Sequence, residues 1–560
     1  MQILVRRLED GGVLPCAGIC ASARPFFAAL LQNIFPSRPI LIVTPDLKTQ
    51  ENFQQDLETW LRFGRGPNGE SRESGKAANV EVGSRSSTFD LRPLFYPAWE
   101  VFPHEDKLPP ADVISDRLQT LVALSENSPR AARRAPLVVT SVTALLQKTF
   151  PPGEIQKRTR ELKRGDKIAP LDLMDWLEEQ GYEPKAQVSQ KGEIALRGGI
   201  LDVFPPTRPW PVRLEFFGDE LESLREFDPL TQVSRGEIVS ITLPPAGELG
   251  ILKNRSQKSG VRSQNEASLA TLLDYLPRET IFVLCEPEHL TLRADEYAQQ
   301  VPANDPFFIS WPDFLAELSR RDFASIELFE GAEIGGNDSE FGIHNLKFDS
   351  LDAFRPLAER APEPQVAEAQ RREFFQQLHR WLRQDYAVHI FCNNEGERQR
   401  FEEIWKEYGF AQEKGLSIQI GTLTRGFICE EAKLVVVTDA EIFGRYKIQR
   451  PRRQKSSHAL ATRSALDIDF TNLEESDYVV HLQHGIGRYL GLKTMPVGNS
   501  RHPSTLNFHR MPRHRIRAGK FRRRSAETLR SRHRGASRQQ IRRRRPGASA
   551  AQPARRHALE

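Results

Sequence analysis

The sequence predicts an α/β protein: a parallel-sheet domain with an inserted α+β hairpin domain, then a second small α/β domain and the opening strands of a small β-barrel. Three observations carry that expectation. Apolar runs alternate with amphipathic helices over residues 13–150 and again from residue 269, a pattern that implies a parallel sheet covered on both faces. Between them, residues 154–252 switch to short alternating strands around Gly198-Gly199 and Gly218-Asp219, which is hairpin-turn chemistry. From residue 477 two further short strands are expected on either side of a Gly-Ile-Gly turn at Gly485–Gly487, and beyond Ser500 the chain turns arginine-rich.

Residues 39–44 (Pro-Ile-Leu-Ile-Val-Thr) read as a buried strand, followed by a helix with Phe53, Leu57, Trp60 and Leu61 on one face. Ile114, Leu118, Leu121 and Val122 repeat that spacing, and residues 137–142 supply another strand. The polar, glycine-containing run 64–87 between these units reads as a surface insertion. A phosphate loop would stand at residues 17–25, before a helix over 26–34. That stretch, Ala-Gly-Ile-Cys-Ala-Ser-Ala-Arg-Pro, lacks the lysine and the adjoining hydroxyl that grip phosphate and magnesium. No Gly-x-x-x-x-Gly-Lys-Ser/Thr occurs anywhere in the chain. The expectation is a parallel sheet that hydrolyses no nucleotide, with no catalytic residue, no cofactor-binding residue and no metal ligand.

In the inserted block a helix over 171–180 leads into residues 192–204 and 212–220. Strand alternation puts Val212, Leu214 and Phe216 on one side and Arg213, Glu215 and Phe217 on the other; Ala195 and Arg197 likewise oppose Ile194 and Leu196. One face should therefore show Arg197 and Arg213 beside Phe217. That is either a solvated charged face or a protein-binding patch, since arginine with an exposed aromatic is the composition of interface hot spots.

Strand–helix alternation resumes with the strand 280–285 and a helix around 293–300. A joint near residues 362–364 precedes a long helix over 366–383, the strand 387–392, a helix over 395–408 and strands at 416–420 and 433–438. Asp439-Ala-Glu441 after the last of these reads as a strand terminus rather than a metal-binding acidic pair, there being no phosphate loop to partner it. Residues 446–457 are basic and prolyl with nothing to pack, a tether.

The formal charge of +5 sums two unlike parts. Residues 501–560 hold 19 Lys+Arg and 2 Asp+Glu, so the preceding 500 hold 60 and 72. The body is acidic, which excludes reading the whole chain as a basic nucleic-acid binder. Five scattered cysteines argue against a disulfide framework and for a reducing cytosol, and Cys16 and Cys20 lack a second ligand pair for zinc. No apolar run approaches a membrane span, and charges at Arg6, Arg7, Glu9 and Asp10 stand where a signal peptide needs an apolar core.

Four stretches in this order carry a family resemblance: residues 96–103 (Tyr-Pro-Ala-Trp-Glu-Val-Phe-Pro) with 114–118, residues 197–204 (Arg-Gly-Gly-Ile-Leu-Asp-Val-Phe), residues 213–220 with 224–228, and residues 477–492. Together they resemble the amino-terminal part of the bacterial transcription-repair coupling factors, over roughly residues 14–500. The resemblance implies a UvrB-like module, a degenerate P-loop-NTPase-like parallel-sheet domain with its ATPase motifs lost, in two parts over 14–153 and 253–345. Around it stand an inserted UvrA-binding domain over 154–252, a small α/β domain over 346–445 and a linker over 446–472. Residues 473–500 would begin a Tudor-like (SH3-like) barrel that grips the RNA polymerase β subunit. The family's UvrA-docking residues fall on Arg197, Arg213 and Phe217. His481, His484, Gly485, Gly487, Arg488 and Tyr489 carry the polymerase-interacting motif. ATP, magnesium and DNA translocation belong to a motor that the family carries further on and that has no motif here.

Past Ser500 the family pattern stops. Residues 501–560 show no apolar periodicity and are expected to be disordered. They fit either an out-of-frame translation of a GC-rich gene, which the other two frames would test, or a segment that binds nucleic acid by neutralising phosphates. On the first reading the barrel is left incomplete, with weak or lost polymerase binding.

Overall fold

The computed structural model describes residues 8, 12–63, 92–125, 135–258, 269–331, 347–354, 364–410, 415–443, 478–481, 485–497 and 500–510. The insertion at 64–87, the linker 446–472, His484 and the tail beyond Arg510 lie outside the described residues. The chain divides into two units, Met1–Thr462 and Arg463–Glu560.

The first unit opens with β1 (Val13–Cys16), β2 (Ile40–Thr44), β3 (Leu94–Tyr96) and β4 (Leu137–Ser141), separated by the helices Arg24–Ile34, Leu47–Phe63 and Ala111–Ser125. The chain then leaves this sheet for β5 (Arg160–Lys163), β6 (Glu183–Pro184), β7 (Glu193–Arg197), β8 (Ile200–Val203), β9 (Val212–Phe217), β10 (Glu220–Phe227), β11 (Ser234–Glu237) and β12 (Ser240–Leu243). It returns as β13 (Ile281–Cys285) and β14 (Ala324–Leu328), completing a six-stranded sheet in the order β1-β14-β13-β2-β4-β3 with every pair parallel.

Alternation along the strands divides two cores. Ile40, Ile42, Val139 and Val283 pack under the helices Arg24–Ile34 and Leu47–Phe63. Leu41, Val43, Val138 and Phe282 pack on the opposite side with Leu118 and Leu121 of the third helix. β2 and β4 are buried at every residue, and coverage on both faces is why 40–43 and 137–139 are apolar without alternation. The helix expected around 293–300 spans Pro287–Ala298, its start set by a proline that suits the first helical turn.

The inserted domain is a six-stranded sheet in the order β11-β10-β9-β8-β7-β6, with the two-stranded β12-β5 sheet and the helix Pro170–Glu179 on its inner face. The last part of the first unit holds β15 (Asp349–Ser350), β16 (Ala387–Cys392), β17 (Leu416–Ile420), β18 (Phe427–Cys429) and β19 (Leu434–Thr438), in the order β15-β18-β19-β16-β17. Sequence reading separates this α/β domain from the first sheet, yet the two share a core. Trp60 meets Phe391 with ring centroids 5.2 Å apart, Phe26 meets Phe427 at 5.4 Å, and Asp56 accepts the Thr424 backbone N–H at 2.9 Å.

The second unit is an antiparallel sheet of β20 (Tyr478–His481), β21 (Gly485–Val497) and β22 (Ser500–Arg510). Two expectations are corrected here. The turn placed at Gly485–Gly487 is strand: Gly485 pairs with His481 and Gly487 with Val479. A glycine pair inside a strand marks an irregular or closely approached stretch as readily as a turn, and β21 does shift register twice, between Tyr489 and Leu492 and between Lys493 and Met495. The boundary set at Ser500 is also crossed. β22 pairs with β21 from Val497↔Ser500 to Gly487↔Arg510, because backbone pairing needs no apolar periodicity and residues 501–510 contain one proline only.

Candidate docking face

The sheet β6–β11 has one apolar and one polar face. Ile194, Leu201, Val203, Val212, Leu214 and Leu224 form the inner core against Leu173 and Leu177 of the helix Pro170–Glu179. Two tight hairpins set the register of the other face. Gly198 and Gly218 take φ +62 and +62, as sequence reading requires of those turns. Gly199 has a different reason to be glycine: a Cβ there would sit 2.9 Å from the Phe216 carbonyl oxygen, where β9 crosses the turn.

On the outer face Asp202 of β8 lies directly opposite Arg213 of β9 and Ala195 of β7. Its carboxylate is fully buried, and it accepts from Arg213 Nε at 2.7 Å, from an Arg213 terminal nitrogen at 2.9 Å and from an Arg197 terminal nitrogen at 2.8 Å. The Arg213 guanidinium also lies 4.7 Å from the centroid of the Phe227 ring and donates to Gln232 Oε1 at 3.3 Å. Hydrogen bonding to Asp202 is the main cause that raises the Arg213 pKa above its already high ordinary value.

The three residues expected on one face are therefore brought there, but not alike. The Phe217 residue is 82% exposed, the Arg197 side chain 50% and the Arg213 side chain 18%. Arg213 is less a surface probe than a brace between Asp202 and Phe227. Further along, Arg225 bridges Glu215 and Glu237, each at 3.6 Å, so the face is charge-balanced rather than basic. Sequence reading missed Asp202 and Phe227. The available signal was an acid inside an apolar hairpin strand, on the same side as two arginines.

The docking of this domain explains another singled-out motif. Arg117 and Glu248 are both fully buried and paired at 2.7 Å, with the guanidinium 4.2 Å from the Tyr96 ring centroid and 4.8 Å from that of Trp99. Glu248 also accepts from Trp99 Nε1 at 2.9 Å and Thr149 Oγ1 at 2.7 Å. Glu248 stands where the chain returns from the insertion, so residues 96–99 and 117 tie that return to the first sheet. Ser115 Oγ donates to the Pro206 carbonyl at 2.6 Å, and Lys191 Nζ donates to both that oxygen (2.9 Å) and Ser115 Oγ (2.7 Å).

Between β1 and the helix Arg24–Ile34, where sequence reading looks for a phosphate loop, the chain's own groups pair with one another. Arg24 pairs with Glu286 and donates to the Ile19 carbonyl at 3.2 Å. Ser22 donates to the Gly426 carbonyl at 2.9 Å, and the Lys347 side chain lies against Gly18. Burial pushes the Cys16 thiol up to about 12 and raises that of Cys20. Among the described residues no group of His, Cys, Asp and Glu is arranged to hold a metal. Glu441 lies in the short helix Asp439–Phe443 that follows β19 and is taken up by Thr438 N–H (2.8 Å), Thr438 Oγ1 (2.5 Å) and Gly426 N–H (3.1 Å). In the second unit His481, Gly485, Gly487, Arg488 and Tyr489 lie on β20 and β21.

Residues 161–249 match the family model described as UvrB interaction domain, and residues 473–508 match the one described as CarD-like/TRCF RID domain. The first match encloses the face built above; the second runs past Ser500 into β22. The transcription-repair-coupling factor of Bacillus subtilis (strain 168) is 28% identical over 546 residues, covering 88% of this chain and 43% of the relative. That of Myxococcus xanthus is 26% identical over 561 residues, covering 88% and 44%. That of Escherichia coli (strain K12) is 26% identical over 461 residues, covering 71% and 38%. The chain thus spans less than half the length of the curated relatives it matches. Along most of its own length it is similar to the transcription-repair-coupling factors.

Proposed function

We propose that the chain acts in transcription-coupled excision repair of DNA as an adaptor whose inserted domain recruits UvrA. The observation that carries this reading is the outer face of β7–β9. Phe217 projects almost fully into solvent beside two arginines that are braced rather than free, inside a segment that matches a UvrB interaction domain. A large exposed aromatic next to pre-ordered guanidinium groups is the composition of a binding hot spot.

The first sheet serves this adaptor as a frame and hydrolyses no nucleotide. The Arg24–Glu286 pair and the Lys347 side chain against Gly18 lie in the stretch where sequence reading looks for a phosphate loop, which supports a degenerate descent from a P-loop-NTPase-like fold. The strands β20–β22 begin a Tudor-like fold that meets the RNA polymerase β subunit, with support from the match over 473–508. Both partners place the protein in the cytosol. ATP-driven movement on DNA, implied by the family, is assigned to none of the residues described.

The test is binding of the 560-residue chain to immobilised UvrA. Wild type should bind, and Phe217→Ala with Arg197→Ala should abolish most binding while circular dichroism and melting stay unchanged. Absent wild-type binding, or an unaffected double variant, overturns the docking reading. DNA-stimulated ATP hydrolysis by this chain would overturn the adaptor reading.

A further inference from the structure

We infer that Asp202 is the positioning residue of the docking face: it orders Arg197 and Arg213 for a partner that never touches Asp202 itself. The inference rests on the proposed docking role of that face.

The carboxylate is buried completely, so it offers a partner nothing directly. Its two oxygens accept three hydrogen bonds, and one of them, Oδ2, is shared between the two arginines at 2.8 and 2.9 Å. Five N–H donors sit in a fixed plane on each guanidinium. Arg213 directs two of its own to Asp202 and one to Gln232, over the Phe227 ring. Arg197 gives one hydrogen bond to Asp202, and its side chain stays half exposed. An unrestrained arginine on a hairpin surrenders rotamer freedom when a partner captures it, whereas one already held at a terminal nitrogen surrenders less.

The same carboxylate removes one of the pair's two positive charges, and Arg225 is offset by Glu215 and Glu237. A face with so little net field steers an approaching protein weakly. Recognition then depends on where the guanidinium planes point, and losing that order should appear in the dissociation rate. The chemistry selected is a partner surface that presents hydrogen-bond acceptors to the free edge of Arg197 and an apolar hollow to Phe217.

Asp202→Asn tests this because it keeps the size of the side chain while turning one acceptor into an amide donor facing a guanidinium. Dissociation from UvrA should quicken about ten-fold or more, with the association rate changed by less than about three-fold. Introduced into a chain that already carries Arg197→Ala and Arg213→Ala, the same substitution should cost UvrA binding nothing further. It should also raise the melting temperature there, since it neutralises a buried, unpaired charge. Wild-type kinetics in Asp202→Asn, or the same fold-loss in both backgrounds, overturns the inference and leaves the docking reading standing. Failure of the wild-type chain to bind UvrA overturns both. If Asp202→Asn does not fold, the two arginines are truncated singly and together, with binding normalised to the folded fraction. Sharing one carboxylate, their combined loss should fall short of the product of the single losses by about three-fold or more; losses that multiply overturn the inference.

Discussion

Arg117 and Glu248 are sealed from solvent on both sides of their ion pair, whereas Arg197 and Arg213 share a carboxylate just as buried while one guanidinium stays half exposed. The chemistry of the two clusters is the same, and both use aromatic rings as a bed for a guanidinium. What differs is the opening. In the first cluster the Tyr96 and Trp99 rings, Thr149 Oγ1 and the Pro97 carbonyl, which accepts from Arg117 at 2.8 Å, surround the pair, so it joins the inserted domain to the sheet. In the second, Asp202 is saturated from the same side that faces solvent, so its arginines are ordered and still reachable. Burial of the acid, with exposure of the base, turns a structural pair into a surface suited to binding.

The largest expected effect breaks the sealed cluster. Glu248→Ala strands the Arg117 guanidinium, Trp99 Nε1 and Thr149 Oγ1 without their shared acceptor, and should destabilise the first unit by about 3–5 kcal/mol. A urea titration of the full chain, read on its first transition, measures it; a midpoint like the wild type would show the pair to be dispensable. At the open cluster, Phe217→Ala should cost about 2 kcal/mol of UvrA affinity with no change in melting, as an exposed hot-spot ring would. Arg213→Ala, by contrast, leaves Asp202 with one partner instead of two, and should lower both affinity and stability. Equal melting temperatures for the two variants would show that Arg213 is no brace.

A smaller effect is expected at the seam between domains. Ser115→Ala removes one hydrogen bond to the Pro206 carbonyl and one acceptor for Lys191, and should cost about 1 kcal/mol, seen as faster amide exchange at Thr207 and Arg208. The smallest concerns a pair unrelated to either cluster. Hydrogen bonds from Arg320 and Arg321 hold the Glu317 carboxyl down to about 2. A lowered carboxylate pKa means stability present above the ordinary carboxylate range and lost as pH falls toward 2. Glu317→Gln should therefore trail wild type slightly at neutral pH and match it near pH 2 in acid-unfolding curves, the gap small because the site is solvent-screened.

Much of this was legible from residues alone. Period-two alternation placed Arg197, Arg213 and Phe217 on one face, since a strand side chain has only two directions to take. Apolar runs at 40–43 and 137–139 marked central strands because both faces of that sheet are covered. Missing phosphate-loop residues are a fact of composition that no folding can alter. Tertiary structure decided the rest. Asp202 is 11 residues from Arg213 and Glu248 is 131 from Arg117; only strand register and the return from the insertion bring them together, and neither leaves a local signature. Gly485 and Gly487 permit a turn or a strand, and the pairing of β20 with β21 chose the strand. Local pattern settles which way a side chain points, while long-range packing settles what it meets there and how much water remains.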